Sequence, residues 1–271
     1  MFKIDFKDKR VDFFGLATYA KKHKLNHKDC LKQAFDQNAL IEENKDLLLS
    51  FIESFDGIEN FQSQLYQDIC AAFIVGDKFK KTFLEFGATD GLSLSNSYLL
   101  ENSLDWKGVL SEPSPQWHNS LKMNRKNSTI ITDCIWKETG KKIDFFMSDI
   151  GEYSTINDFI ENEIKSIPGN TRARKKGGRL ISVETISLND VIKKYFNDSC
   201  PSYMSIDTEG SEYEILKAFD LNKYRPKLFT IEHNFTENER KIDEHLIING
   251  YVRIFRKLTT FDAWYIPLEN L

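Results

Sequence analysis

Ionisable side chains follow two apolar runs at points where the chain is expected to turn. One run ends before Asp207 and Glu209, and a later run leads into Glu232 and His233. In an open α/β sheet, ligands bind at the carboxyl ends of the strands, where these side chains would lie. Carboxylates close to one another raise the pKa of one member, which then serves as a general base. The pattern predicts a site that removes a proton, with these four residues as catalytic candidates.

Simpler structural explanations stay open for the same residues. Glu209 and Glu212 would lie in the first turn of a helix, where the helix dipole stabilises negative charge. A single histidine such as His233 is more often structural than catalytic. The oxygens of Asp207, Glu209 and Glu232 also suit magnesium, although no spacing requires a metal and we predict none.

A glycine turn follows an apolar run that starts at position 83 and contains Glu85. Gly87 and Gly91 lack a Cβ, so the backbone can turn sharply there and approach a ligand closely. The spacing departs from the G-x-G-x-x-G pattern of nicotinamide-binding turns, and Asp90 would repel a pyrophosphate. The turn, which includes Ala88, therefore suits a nucleoside cofactor without phosphate, such as S-adenosylmethionine. The alternative is an ordinary strand-to-helix turn.

An acid follows the glycine turn at a characteristic distance. Glu112 lies 21 residues beyond Gly91, at the end of a second apolar run that closes with Pro113. This position is typical of a carboxylate that accepts hydrogen bonds from ribose hydroxyls. We therefore predict that Glu112 binds the ribose of the cofactor.

The surrounding pattern predicts an α/β fold. Short apolar runs alternate with amphipathic stretches, as expected for a mainly parallel sheet with helices on both faces. The last two runs are separated by a short loop and are expected to pair antiparallel at one edge. The predicted strands are 83–86, 108–111, 128–135, 203–207, 228–232, 251–255 and 263–266. The predicted helices between them are 93–101, 114–123, 211–218 and 237–249.

Two regions depart from this alternation. From about position 12 to 55, apolar residues recur at three- and four-residue spacings, which predicts two or three helices, with a further helix over 63–74. The segment from about 141 to 188 is predicted to be a less regular insertion. Its basic run, 172–179, is predicted to be mobile because like charges and glycines disfavour packing. The run would be either a lid that attracts an anionic substrate or a solvated loop.

The composition argues against several classes of protein. The formal net charge is −4, so nucleic-acid binding is only a minor hypothesis. The 4 cysteines are too dispersed for a zinc site and resemble reduced cytosolic thiols. No apolar stretch approaches the roughly 18 residues of a membrane span, and the N-terminus lacks the apolar core of a signal peptide. We expect a soluble, cytoplasmic protein, and the sequence does not indicate its oligomeric state.

Several motifs together resemble the FkbM family of S-adenosylmethionine-dependent methyltransferases. The strongest is Ile-Asp-Thr-Glu-Gly-Ser-Glu at 206–212, and the segments 83–91 and 109–113 support it. Upstream, Ser-Gln-Leu-Tyr-Gln-Asp at 63–68 is similar to the family's S-Q-x-G-Q-D segment, with Tyr66 where glycine is usual.

The resemblance implies an architecture and a set of cofactor contacts. The fold would be the Rossmann-like, seven-stranded class I methyltransferase sheet. It would occupy residues 63–271 and follow an N-terminal helical extension or cap at 1–62. Glu85 and Gly87 would face the methionine part of the cofactor, and Glu112 would hold the ribose. The resemblance also places Asp133 near the adenine amino group and Asp207 beside the reactive methyl.

The leading hypothesis is an O-methyltransferase acting on a glycan or a small hydroxylated metabolite, because such acceptors are common in the resembled family. The base would be Asp207 or His233, with Glu209 and Glu232 orienting the base or the acceptor. An N-methyltransferase on a peptide or a base ranks lower, since no Asn/Asp-Pro-Pro-aromatic turn is present. A third hypothesis is a non-catalytic interaction protein with the methyltransferase fold, whose N-terminal helices bind a partner.

Overall fold

A seven-stranded sheet forms the centre of the computed structural model, which describes residues 4–6, 9–160 and 172–271. Its strands, in chain order, are β1 (Thr82–Phe86), β2 (Lys107–Ser111), β3 (Thr129–Ile131), β8 (Tyr203–Ile206), β9 (Leu228–Glu232), β10 (Tyr251–Ile254) and β11 (Asp262–Pro267). They lie in the order β10-β11-β9-β8-β1-β2-β3. The neighbouring strands β9, β8, β1, β2 and β3 are parallel to one another. At the opposite edge, β11 pairs antiparallel with both β9 and β10. The predicted seven-stranded, mainly parallel sheet with an antiparallel edge is therefore confirmed.

The helices cover both faces of this sheet. Before β1 lie α1 (Phe13–His23), α2 (His27–Asp36), α3 (Lys45–Glu53) and α4 (Gln67–Val75). The later helices are α5 (Tyr98–Leu104), α6 (His118–Asn124), α7 (Leu188–Tyr195), α8 (Glu212–Lys217) and α9 (Asn238–Ile248). Neighbouring residues of β8 point to opposite faces, so Tyr203 joins the core beneath the N-terminal helices and Met204 joins the core beneath α7, α8 and α9. No helix within the described ranges is long and apolar enough to cross a membrane.

The N-terminal helices pack directly on the sheet. Side chains of Asp12, Asn26 and Asn44 accept hydrogen bonds from the first turns of α1, α2 and α3, which fixes where each helix begins. The buried ring of Phe13 contacts Trp264 of β11 with ring centroids 5.8 Å apart. These contacts join the first helices to the antiparallel edge. The predicted division between residues 62 and 63 stays a prediction.

The insertion that was predicted to be less regular contains ordered β structure. A second sheet has the order β4-β7-β5-β6, formed by β4 (Cys134–Trp136), β5 (Lys142–Ser148), β6 (Thr155–Ile156) and β7 (Gly178–Ser187). β5 and β7 pair antiparallel along the whole of β5. Their polar residues alternate with apolar ones, as in a sheet with one face in solvent. The part of the insertion at 161–171 lies outside the described residues.

Three predicted helices begin later than expected. Helix α5 begins at Tyr98 instead of 93, α6 at His118 instead of 114, and α4 at Gln67 instead of 63. Before α5, the carboxylate of Asp90 accepts hydrogen bonds from the N–H groups of Leu92 and Ser93, so this stretch forms a loop. These loops lie beside the carboxyl ends of the central strands.

Candidate functional site

A cavity of about 610 Å³ opens at the carboxyl edge of the main sheet. Residues from four neighbouring strand ends line it, namely Glu112 after β2, Gly87 after β1, Asp207 after β8 and Glu232 at the end of β9. Side chains from the insertion, including Tyr153, form another wall. The cavity thus lies where parallel α/β sheets bind their ligands.

The cavity brings together most of the residues predicted from the sequence. Those that line it are Glu85, Gly87, Ala88, Glu112, Pro113, Asp207, Glu209 and Glu232. The predicted residues that do not line it are Asp90, Gly91, Asp133 and His233.

The glycine turn holds β1 close to β8. Gly87 has a φ of +79°, and a Cβ at this residue would lie 1.9 Å from the carbonyl oxygen of Asp207. The N–H groups of Gly87 and Ala88 donate to the carbonyl oxygen of Ser111 at 3.1 and 3.3 Å. A side chain at position 87 would therefore force apart the two strand ends that carry the site.

Glu112 connects the turn after β1 with the chain after β2. Its Oε2 accepts a hydrogen bond from the Thr89 N–H, and its Oε1 accepts one from the Ser114 N–H, both at 2.8 Å. Burial raises the pKa of Glu112 to about 7, although both hydrogen bonds oppose that rise. The carboxylate is held in one orientation at the cavity wall.

Glu85 belongs to a buried polar network that sequence reasoning missed. Its carboxylate accepts hydrogen bonds from the Asn96 N–H at 2.8 Å and from the hydroxyls of Ser95, at 3.0 Å, and Ser97. The buried guanidinium of Arg125 lies 3.7 Å from Glu85 and donates to Glu101 at 2.7 Å. This network fixes the loop between β1 and α5, part of which lines the cavity. No sequence signal distinguished Arg125 from the exposed basic residues near it.

Two predicted cofactor residues instead support the loops around the cavity. Asp90 binds the backbone of its own turn, as described above. A Cβ on Gly91 would approach the Arg125 side chain to 2.6 Å, so this glycine makes room for the buried arginine.

Asp133 lies between β3 and β4, just outside the lining. Its carbonyl oxygen accepts a hydrogen bond from the Ser111 hydroxyl at 2.9 Å. The two residues that follow it, Cys134 and Ile135, do line the cavity. The two residues after Asp133, and not Asp133 itself, therefore form this part of the cavity wall.

An acidic cluster occupies the centre of the cavity edge. Single carboxylate oxygens of Asp207, Glu209 and Glu232 lie within 4.8 Å of one another. Burial, followed by the negative charges of Asp207 and Glu209, raises the pKa of Glu232 well above its ordinary value. The Asn234 side-chain amide donates to Glu232 Oε2 at 2.5 Å. Glu232 therefore holds a proton to a higher pH than an ordinary glutamate does.

The basic run was predicted to be mobile, as either a lid or a solvated loop. One of its residues, Arg174, is instead buried and pairs with the acidic cluster. Its Nη2 donates to Glu209 Oε2 at 2.8 Å, and its Nε donates to the carbonyl oxygen of Tyr153 at 2.9 Å. Arg174 is buried, whereas Arg172 and Lys175 in the same run are exposed. One arginine of the run therefore ties the insertion to the loop after β8. Because its positive charge already neutralises Glu209, a divalent cation would have to compete with it.

His233 and Glu212 have structural partners. His233 Nδ1 accepts a hydrogen bond from the Phe235 N–H at 3.1 Å, and burial lowers the pKa of this histidine to about 4. Glu212 Oε1 accepts hydrogen bonds from the N–H groups of Thr208 and Gly210 at 3.0 and 2.9 Å. Glu212 thereby closes the turn that carries Glu209.

The S-Q-x-x-Q-D segment supplies residues that were not proposed for the site. Gln64 and Gln67 line the cavity, and Gln67 Nε2 donates to Asp262 Oδ2 at 2.9 Å. Tyr66 between them has a φ of +71°, which explains why glycine suits this position. Its buried ring lies among aromatic side chains, and its hydroxyl is 3.0 Å from His27 Nδ1. The motif could have identified the two glutamines as candidates.

The sequence pattern of the family described as "Methyltransferase FkbM domain" matches residues 85–261, more than half of the chain. The chain belongs to the FkbM methyltransferase family. The match includes the ends of β1, β2, β8 and β9 that line the cavity of this FkbM domain, whereas Gln64 and Gln67 precede it and Asp262 follows it. No curated protein matches the sequence significantly.

Solved structures similar to this FkbM domain include further methyltransferases. The precorrin-6y C5,15-methyltransferase of Geobacter metallireducens GS-15 is 11% identical, with a TM-score of 0.40 over 74% of this chain and 79% of that chain. A protein of Staphylococcus aureus provisionally named a caffeoyl-CoA O-methyltransferase is 12% identical, with a TM-score of 0.43 over 93% and 98% of the two chains. The fibrillarin pre-rRNA processing protein of Methanococcus jannaschii is 9% identical, with a TM-score of 0.34 over 69% and 65%. At these scores, the substrates of those proteins are not transferred to this FkbM domain.

The charge of the cavity fits the methyl donor expected of an FkbM domain. Among the residues that the structure describes, no lysine, arginine or histidine lines the cavity, while seven acidic residues do. Those acids are Glu85, Glu112, Glu152, Asp207, Glu209, Glu232 and Asp262. Such a lining disfavours phosphate and favours a ligand that carries positive charge. The sulfonium and ammonium groups of S-adenosylmethionine meet this requirement.

Proposed function

We propose that this protein is an S-adenosylmethionine-dependent O-methyltransferase that acts on a glycan or a small hydroxylated metabolite. The observation that carries the proposal is the acid-lined cavity at the carboxyl edge of an FkbM-family sheet. Its volume of about 610 Å³ lies within the range of about 300–1,000 Å³ that is usual for small-molecule sites. When bound, S-adenosylmethionine supplies an electrophilic methyl group on a positively charged sulfur.

The chain's own residues would bind this cofactor along β2, β1 and β8. We propose that Glu112 accepts hydrogen bonds from the ribose and that Cys134 and Ile135 contact the adenine. The loop held by Glu85 would present its backbone to the amino-acid portion. Asp207 would lie beside the sulfonium, where its negative charge is favourable. These roles agree with the position of each residue along the strand order.

Glu232 is the base that the electrostatics favour. A hydroxyl acceptor has a high pKa, so a base with a raised pKa removes its proton more effectively. The pKa of Glu232 is raised by burial and by Asp207 and Glu209, and the residue lines the cavity. Glu232 would take up the proton of the acceptor hydroxyl. His233 is not proposed as the base because its Nδ1 is bound to the Phe235 N–H and it does not line the cavity.

The acidic cluster favours an oxygen acceptor over an amine. A neighbouring negative charge stabilises the protonated form of an amine, and an ammonium has no lone pair with which to attack the methyl group. A hydroxyl donates a hydrogen bond to one of the same carboxylates without acquiring a charge. The lining also lacks a described cation that would bind an anionic acceptor.

Two measurements test the proposal separately. Calorimetry with S-adenosylhomocysteine tests the cofactor site and requires no acceptor. Transfer of a labelled methyl group to a panel of sugars, nucleotide sugars, phenols and amines then tests the acceptor class. Binding of the cofactor product with labelling of hydroxylated compounds is expected. Labelling of amines alone would refute O-methylation, and absence of cofactor-product binding would refute the function as a whole.

A further inference from the structure

The N-terminal helix α1 contributes a side chain to the cavity. Phe14 lines the cavity and is 41% exposed, whereas its neighbour Phe13 is fully buried. The Phe13 ring packs among those of Phe51, Phe255 and Trp264. Because Phe13 is held in the core, the position of Phe14 at the cavity is fixed by the packing of the helix.

Phe14 meets a second aromatic residue at the same place. The rings of Phe14 and Phe261 have centroids 5.5 Å apart and an interplanar angle of 73°, and both residues line the cavity. The carbonyl oxygen of Phe261 accepts hydrogen bonds from the N–H groups of His233 and Asn234 at 2.8 and 3.2 Å. The Phe13 N–H donates to the carbonyl oxygen of Leu258 at 3.0 Å. Both rings are therefore anchored to the loop between β10 and β11.

This aromatic pair and the proposed cofactor site lie on opposite sides of the acidic cluster. Along the sheet, Glu112 follows β2, Asp207 follows β8 and Glu232 ends β9, while Phe261 directly precedes β11 on the far side of β9. If the proposed cofactor occupies the β2 and β1 side, the acceptor must reach Asp207 and Glu232 from the β9 and β11 side. The aromatic pair borders that approach.

We infer that Phe14 and Phe261 form an acceptor-binding wall that selects compounds with the apolar face of a ring next to the reacting hydroxyl. This inference rests on the proposed function. Two rings in edge-to-face contact form a stiff apolar surface, and a ring, which has few rotatable bonds, buries one face there with little loss of conformational freedom. A flexible chain of the same size would lose more freedom on binding. Phe14 precedes the family match and Phe261 is its last residue, so the N-terminal helices of this chain contribute one of the two rings of the wall.

Three small diols test the inference whatever the natural acceptor is. Catechol, trans-1,2-cyclohexanediol and 1,2-hexanediol have equal numbers of carbons and adjacent hydroxyls, but only the first two contain a ring. Their binding to the full chain, saturated with S-adenosylhomocysteine, is measured by ligand-observed NMR titration. We expect the two ring diols to bind roughly 2- to 10-fold more tightly than 1,2-hexanediol.

Four single variants test whether this difference in affinity between ring and open-chain diols arises from the aromatic wall. Phe14→Ala and Phe261→Ala should remove it, Phe14→Leu should retain only part of it, and Phe235→Ala should leave it intact, since Phe235 is exposed outside the lining. Calorimetry should give the wild-type affinity for S-adenosylhomocysteine in every variant. Equal binding of the three diols, no binding of any of them, or no effect of Phe14→Ala would overturn the inference while leaving the proposed function standing. Failure of the wild-type chain to bind S-adenosylhomocysteine would instead refute the proposed function, and this inference with it.

Discussion

The backbone N–H of Thr89 donates to Glu112 Oε2 at 2.8 Å, so the acid after β2 holds the glycine turn after β1. The other oxygen of Glu112 binds the Ser114 N–H. The two loops on either side of the proposed cofactor site are thus joined through one buried carboxylate. A change at Glu112 should affect both the shape of the site and its direct contacts.

Replacement of Glu112 by Ala should weaken binding of S-adenosylhomocysteine by about 10- to 100-fold, the effect of losing hydrogen bonds to a charged group. Calorimetry measures this directly. Because burial raises the pKa of Glu112 to about 7, binding to the wild-type chain should strengthen as pH rises through that value and the carboxylate ionises. Glu184→Ala on the exposed side of β7 is the control and should bind normally. Wild-type affinity in Glu112→Ala would refute the ribose assignment.

Glu232→Gln should lower the rate of methyl transfer by about 100- to 10,000-fold, since glutamine cannot accept the proton. Binding of S-adenosylhomocysteine should change little. The raised pKa of Glu232 means that the wild-type rate should increase with pH as the side chain ionises. Initial rates across pH test this, with exposed Glu237→Gln as the control.

The raised pKa of Glu232 also affects the stability of the fold, which should fall as pH rises. The folded state holds the Glu232 proton to a higher pH than the unfolded state does. Its contribution to stability is therefore complete below the ordinary carboxyl pKa and is lost as pH rises through the raised value. Glu232→Gln should accordingly unfold at a higher temperature than wild type at alkaline pH. An unchanged pH dependence of stability would show that Glu232 is not the group concerned.

Arg174→Met should destabilise the fold by about 3–5 kcal/mol because it removes the positive charge that pairs with the buried Glu209. Urea unfolding of Arg174→Met, Glu209→Gln and the double variant gives the coupling between the two residues, which should be about 1–3 kcal/mol. Arg172→Ala changes an exposed arginine of the same run and should cost less than about 0.5 kcal/mol. A coupling near zero would mean that the pair does not hold the insertion.

Gly87→Ala has a control with the same backbone conformation. Gly87 and Gly140 both have a φ of +79°, but a Cβ at Gly87 would lie 1.9 Å from the Asp207 carbonyl oxygen, whereas at Gly140 nothing lies within 4 Å. Gly140→Ala should cost about 1 kcal/mol from backbone strain alone. Gly87→Ala should cost about 2–4 kcal/mol and weaken cofactor binding, because the clash adds to the strain. Equal costs, measured by thermal unfolding, would rule out the close approach of β1 and β8.

The sequence predicted the central sheet because its strands are short, nearly continuous apolar runs buried on both faces. β1 and β8 are the clearest cases, and the ionisable residues at their ends lie on the predicted edge. β5 and β7 were missed because charged residues such as Lys142, Asp144 and Glu184 alternate with apolar ones, which resembles a polar loop. The pairing of these distant segments is a tertiary property that local pattern does not encode.

Individual side-chain environments were harder to predict than strand ends. Arg174 stands among several basic residues, and the sequence does not indicate which of them is buried. Phe14 follows another phenylalanine, and only the packing of α1 decides which ring enters the core and which reaches the cavity.

The left-handed backbone of Tyr66 has a consequence for how this family varies. A non-glycine residue in that conformation costs about 1–3 kcal/mol, which the burial of its ring against α1 and α2 must offset. Those helices and the tyrosine therefore depend on each other. Relatives that lack the N-terminal helices should keep glycine at this position, so the residue between the two glutamines indicates whether a family member carries them.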